Sequence, residues 1–210
     1  MSALNLIDGS ETSLRRFLQT LAGVDQIGAQ ERAAMLATRS IKTTSKKWAI
    51  DMAISMIDLT TLEGADTAGK IRSLCSKALR PDPQDPWVPH VGAVCVYNDM
   101  VGIARNHLDS IGGQSIPVAA VATAFPSGRA SRKVKLQDTK DAISLGATEI
   151  DMVIDRGAFL SGRLGEVFDE IRAIKEICSD KAHLKVILET GELVTLDNVR
   201  KASYLAMLAG

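Results

Sequence analysis

Apolar residues fall at helical spacing from Glu11 to Ala22, from Ala29 to Ile41 and again from Lys46 to Ile57, with Gly23 and Gly28 punctuating the first two stretches. Beyond residue 55 the pattern changes. Short apolar runs at 55–59, 92–97, 117–122, 148–154 and 184–189 read as strands. Segments with helical periodicity lie between them, at 66–79, 99–110, 132–145 and 164–177, and residues 191–209 fit one more helix. Gly112-Gly113 and Gly146 stand where two of these helices should stop. A strand–helix repeat of roughly 30 residues is the βαβ unit, which builds a parallel sheet with right-handed crossovers.

Two architectures use this alternation: the closed (β/α)8 barrel and the open doubly wound sheet. No GxGxxG or GxxxxGK[ST] follows any of the strands, so the phosphate cradle of a dinucleotide or P-loop site is missing. Polar residues sit instead in or just beyond several different strands, which suits a barrel whose site gathers at one end. The sequence therefore predicts an α/β fold, a (β/α)8 TIM barrel of which this chain supplies about the first five βα units. Residues 1–54 are expected to form a helical N-terminal extension packed on the barrel, and residues 55–210 a partial barrel with strands and helices one to five. A closed barrel of about 250 residues needs three more units. An open sheet edge is expected, which a second copy of the chain could cover as a homodimer.

Composition narrows the function classes. Apolar residues make up 46% and charged residues 24%, and the formal net charge is zero at pH 7, so nothing draws the chain to nucleic acid. No stretch is long and apolar enough to suggest a membrane span. The first residues, Met1-Ser2-Ala3-Leu4-Asn5-Leu6-Ile7-Asp8, lack the basic and apolar regions of a signal peptide, so a cytoplasmic location is expected. Cys75, Cys95 and Cys178 are widely spaced, and no CxxC pair or His/Cys cluster suggests a disulfide framework or a zinc site.

Candidate chemistry lies in the strands. The run Ala147 to Ile154 reads as a buried strand that nevertheless carries Asp151, and the run His183 to Gly191 carries Lys185. Burying an unpaired charge is costly, so such residues need partners or a task. Asp58 and Thr60 lie at the end of the first strand and Cys95 within the second.

Five blocks, IDLTTLEGADT (57–67), AVCVYNDMV (93–101), VATAFPSG (121–128), GATEIDMVI (146–154) and LKVILETGEL (184–193), together resemble the deoxyribose-phosphate aldolase family of class I, TIM-barrel aldolases. The resemblance implies reversible cleavage of 2-deoxy-D-ribose 5-phosphate to acetaldehyde and D-glyceraldehyde 3-phosphate, as in deoxynucleoside catabolism. A lysine amine would form an iminium that serves as the electron sink. The implied substrates are thus a small phosphosugar and an aldehyde, with no metal or organic cofactor. Asp151 matches the family's acid–base aspartate. Asp58, Thr60, Cys95 and Lys185 match positions that line or support the pocket, with Lys185 acting by charge. Cys95 reads equally well as a small core residue. The family's Schiff-base lysine belongs to a KTSTG motif on a sixth strand and a second catalytic lysine to a KPAGG motif on a seventh. Neither motif occurs in these 210 residues. The chain by itself is therefore expected to be inactive, or to be a non-catalytic, truncated paralogue that binds a phosphosugar or serves as an interaction scaffold. Asp155 stands where the family often has Asn, and could pair with Arg156 or perturb Asp151.

Overall fold

Among the described residues three helices precede the first strand: α1 (Glu11–Thr20), α2 (Gln26–Ala37) and α3 (Thr43–Ser55). The structure, a computed structural model, describes residues 8–210, and the seven residues on which the signal-peptide reading mostly rests lie outside the described residues. Ser10 starts α1 by accepting a hydrogen bond from the Ser13 amide. Leu14 and Leu18, one turn apart, are buried. No residue of α2 or α3 is buried, and Trp48 of α3 is 65% exposed.

The strands are β1 (Asp58–Thr60), β2 (Ala93–Val96), β3 (Val118–Ala122), β4 (Glu149–Val153) and β5 (His183–Ile187). Between and after them come α4 (Ala68–Leu79), α5 (Val101–Ser110), α6 (Arg132–Ser144), the short α7 (Arg156–Leu160), α8 (Leu164–Cys178) and α9 (Leu196–Leu208). All four strand pairs are parallel and the order follows the sequence, β1-β2-β3-β4-β5. A doubly wound sheet would reverse its order at a switch point; this one never does.

Strand alternation divides the sheet into two unlike faces. Val94, Val96, Val118, Ala120, Ala122, Ile150 and Met152 point to one side and join a single core with Ile71 and Cys75 of α4, Val101 and Leu108 of α5, Ile171 and Ile174 of α8 and Leu205 of α9. The other side holds a separate small cluster of Cys95, Ala119 and Val121. Helices thus cover one face only, as on the outside of a barrel. α1 closes over the outer layer, with Leu14 and Leu18 in the same core as α8 and α9 residues.

The strands are shorter than the apolar runs suggest, most of all β1. α3 continues to Ser55, leaving three residues extended where five were expected. The five-residue α7 is an element the periodicity did not predict. Asp155 initiates it by accepting a hydrogen bond from the Ala158 amide at 2.8 Å, and a single turn is too short to show a stripe. Gly146 ends α6 as expected, with φ +102°.

Candidate active site

The pleat of β4 places Glu149 and Asp151 on the concave face and sends Ile150 and Met152, both fully buried, into the helical layer. In β5 the same alternation brings Lys185 to the concave face, in register with Asp151. Asp151 is also level with Val121 of β3, and Thr60 of β1 with Cys95 of β2. The apolar concave residues Ala93, Cys95 and Ala119 are small, which leaves room for the longer charged chains.

Lys185 gathers three carboxylates. Its ammonium pairs with Asp58, lies 2.8 Å from Glu149 Oε2 and 3.2 Å from Asp151 Oδ1. The pairing with Asp58 also measures the curvature of the sheet. Four inter-strand steps of about 4.8 Å would put β1 and β5 about 19 Å apart on a flat sheet, beyond the reach of the two side chains. They meet because the sheet curls toward a barrel.

Charges within this cluster set the protonation states. Burial alone would lower the Lys185 pKa, but hydrogen bonds to Asp58 and Glu149 and the charges of Asp151 and Glu149 outweigh it and hold the value above that of an ordinary lysine. Lys185 is therefore a protonated cation at neutral pH and not a free amine. Asp151 moves the other way from a usual paired carboxylate. Burial raises its pKa, the Asp58 and Glu149 charges add to the rise, and Lys185 only partly opposes it. Its Oδ1 is buried and makes no aligned hydrogen bond, although the Lys185 ammonium is near. Its Oδ2 accepts a weak hydrogen bond from the Cys95 thiol at 3.7 Å. A carboxylate with a raised pKa and an uncommitted oxygen is a group able to take up and return a proton.

Burial, aided by the Asp151 charge, pushes the Cys95 thiol up to about 12, so it is a weak donor and a poor nucleophile at neutral pH. Thr60 shares the concave face, but its hydroxyl donates to the main-chain carbonyl of Asp58 at 2.8 Å and not to a side chain of the cluster. The structure thus brings together Asp58, Cys95, Asp151 and Lys185 and leaves Thr60 at their edge. Glu149 is a member that the sequence reading passed over. Its signal was the alternation itself, since a residue two before Asp151 must share its face. Asp155 neither pairs with Arg156 nor enters the cluster. It caps α7, while Arg156 pairs with Glu189 and donates to the Pro126 carbonyl at 2.9 Å. Among the described residues no three His, Cys, Asp or Glu side chains are arranged to hold a metal ion; the three carboxylates converge on an ammonium instead. No helix among the described residues is long and apolar enough to cross a membrane.

Comparison with known proteins places the chain in a family. The profile of the DeoC/LacD family aldolases matches residues 52–210. The human protein named deoxyribose-phosphate aldolase is 43% identical over 190 residues, covering 85% of this chain and 58% of its own length. Its Bos taurus counterpart is 41% identical over 198 residues, covering 89% of this chain and 61% of its own. The crystal structure of a Coccidioides immitis protein assigned as a deoxyribose-phosphate aldolase superposes with a TM-score of 0.67 at 33% identity, covering 77% of this chain and 58% of that one. The chain thus spans about three fifths of the length of the relatives it matches, and its five strands form part of the TIM barrel.

Proposed function

Because the chain belongs to the DeoC/LacD aldolase family, we propose that the whole protein is a deoxyribose-phosphate aldolase, and that β1 to β5 carry the acid–base half of its site. The observation that carries this reading is the Asp151 carboxyl, raised in pKa and with one buried oxygen in no aligned hydrogen bond, beside a lysine held protonated.

The reaction proposed is the cleavage of 2-deoxy-D-ribose 5-phosphate in its open-chain form. A neutral lysine amine adds to the aldehyde carbon and water leaves, giving an iminium. Loss of the hydroxyl proton at the third carbon lets the bond between the second and third carbons break. Glyceraldehyde 3-phosphate departs and the electron pair passes into the iminium as an enamine. A proton returned to the second carbon, followed by hydrolysis, releases acetaldehyde and restores the amine. Each proton movement needs a positioned acid–base group, the role that fits Asp151.

Lys185 does not fit the role of the nucleophile, since three carboxylates keep it charged. Its part is to hold Asp58, Glu149 and Asp151 together and to tune Asp151. The amine is then supplied by another lysine, as the resemblance to the family implies. The cluster suits that arrangement, because three carboxylates facing one ammonium leave negative charge for a further cation to neutralise. On this reading residues 1–210 alone do not turn over substrate. The test is the rate of glyceraldehyde 3-phosphate release by the whole protein. Asp151→Asn is expected to lower kcat by about 100-fold or more, the usual scale for removing an acid–base group. Unchanged turnover would remove Asp151 from the mechanism.

A further inference from the structure

The last paired residues of β3 and β4 are Ala122 and Met152. Beyond them a side chain takes over from the backbone ladder. Thr123 and Ala124 both have left-handed backbones, each with φ +62°, a conformation that costs a non-glycine residue about 1 kcal/mol or more. The main chain of Thr123 thereby turns away from β4 while its hydroxyl stays. Thr123 Oγ1 donates to the Val153 carbonyl at 2.8 Å and accepts from the Val153 amide at 2.9 Å. Thr123 is fully buried, so both of these backbone groups would otherwise lack a partner in a dry site.

The Thr123 amide, turned out of the ladder, donates to Asp138 Oδ2 of α6 at 3.0 Å. The other oxygen of that carboxylate accepts from Asn98 Nδ2 at 2.8 Å, and the same amide group also reaches the Asp138 carbonyl at 2.8 Å. Asn98 lies in the single 3-10 turn that follows β2, three residues after Cys95. One carboxylate therefore links the strand end that carries Cys95 to Thr123, and through Thr123 to Val153, two residues after Asp151.

We propose that Asp138, acting through Thr123, is a positioning residue for the Asp151 carboxylate. The side-chain partners of that carboxylate, Cys95 and Lys185, stand on other strands. Its place relative to them is set by where β4 ends, and the chain Asn98–Asp138–Thr123–Val153 fixes that end against β2 and β3. The catalytic importance of this placement rests on the aldolase reading above; the coupling itself does not.

The test uses the whole protein and reads two quantities by NMR, the exchange rate of the Val153 amide and the pH midpoint of the Asp151 carboxyl carbon. In Thr123→Val the Val153 amide should exchange about tenfold faster, the scale of one lost hydrogen bond. The Asp151 midpoint should fall toward the ordinary carboxylate range, because burial is its largest cause of elevation and a released strand end admits water. Asp138→Ala should move both readouts in the same direction. Glu170, another carboxyl raised mainly by burial but lying on α8, is the internal control and should not move. The milder Asn98→Ala, which removes the donor to both the carboxylate and the main-chain carbonyl of Asp138, should move both readouts the same way but less far. Midpoints of Asp151 that stay fixed in Thr123→Val and Asp138→Ala, or that shift together with Glu170, would overturn the proposal. Should Asp138→Ala fail to fold, a folded Asn98→Ala with an unmoved Asp151 midpoint would overturn it equally. Failure of the aldolase reading shows differently: the unmodified whole protein would release no glyceraldehyde 3-phosphate from 2-deoxyribose 5-phosphate, while Thr123→Val still moved the Asp151 midpoint.

Discussion

Asp151 is a carboxylate that the fold holds at a cost. Its folded-state pKa lies above the unfolded one, with burial as the leading cause. The folded state therefore binds this proton more tightly than the unfolded chain does. Below the unfolded value, about 3.9 for aspartate, the group is protonated in both states and costs nothing. As pH rises through the raised folded value the penalty grows to its full size and then stays. Asp151→Asn should accordingly be more stable than the parent at pH 7, and the gain should vanish as the pH falls below about 4. Urea unfolding at the two pH values measures this; a gain that grows on acidification would refute it. A residue that weakens the fold yet sits where chemistry is proposed is the usual compromise of a functional site. At this scale much could be read beforehand, because Asp151 and Lys185 stand out against their apolar strands. That Lys185 acts by charge was implied by the family resemblance, but the carboxylates that hold its proton were not legible in its own strand. Its partners Asp58 and Glu149 lie on β1 and β4, and only the curled sheet brings Asp58 to it.

The elements obey the sequence where periodicity is long and depart from it where geometry is local. α8 was legible nearly end to end because Val167, Ile171, Ile174 and Cys178 repeat at three- and four-residue spacing. β1 was read too long because Ile57 continues an apolar run that belongs to the end of α3, and apolarity alone does not separate the two. The turn that follows β3 comes close to the end of β4, an approach that shows only in coordinates. A Cβ on Gly128, where φ is +70°, would fall 2.3 Å from the Ile154 carbonyl oxygen. Periodicity also gives no account of the join between α6 and α8. Lys135, 1% exposed, extends from α6 to Glu170 of α8, with Nζ–O distances of 2.8 and 2.7 Å. Breaking such a pair from one side strands a buried charge. Lys135→Met should therefore cost about 3–5 kcal/mol, and Lys135→Met/Glu170→Met should recover most of it. Chemical denaturation of the two variants decides this. Equal losses in both would show that packing and not the stranded carboxylate sets the cost.

For the molecule as a whole, helices cover one face of the curled sheet while the other stays small-chained and charged. The sequential strand order was foreseen from the strand–helix rhythm and the absent phosphate-binding loops. What the rhythm could not supply was the charge balance of the concave face, since that depends on side chains meeting across the sheet. Asp58, Glu149 and Asp151 surround one protonated lysine on that face, the arrangement on which the proposed acid–base role rests. The most direct test is borohydride reduction of the protein in the presence of 2-deoxyribose 5-phosphate, followed by peptide mapping of the trapped lysine. The account predicts that no lysine within residues 1–210 carries the reduced adduct; a stable adduct on Lys185 would contradict it.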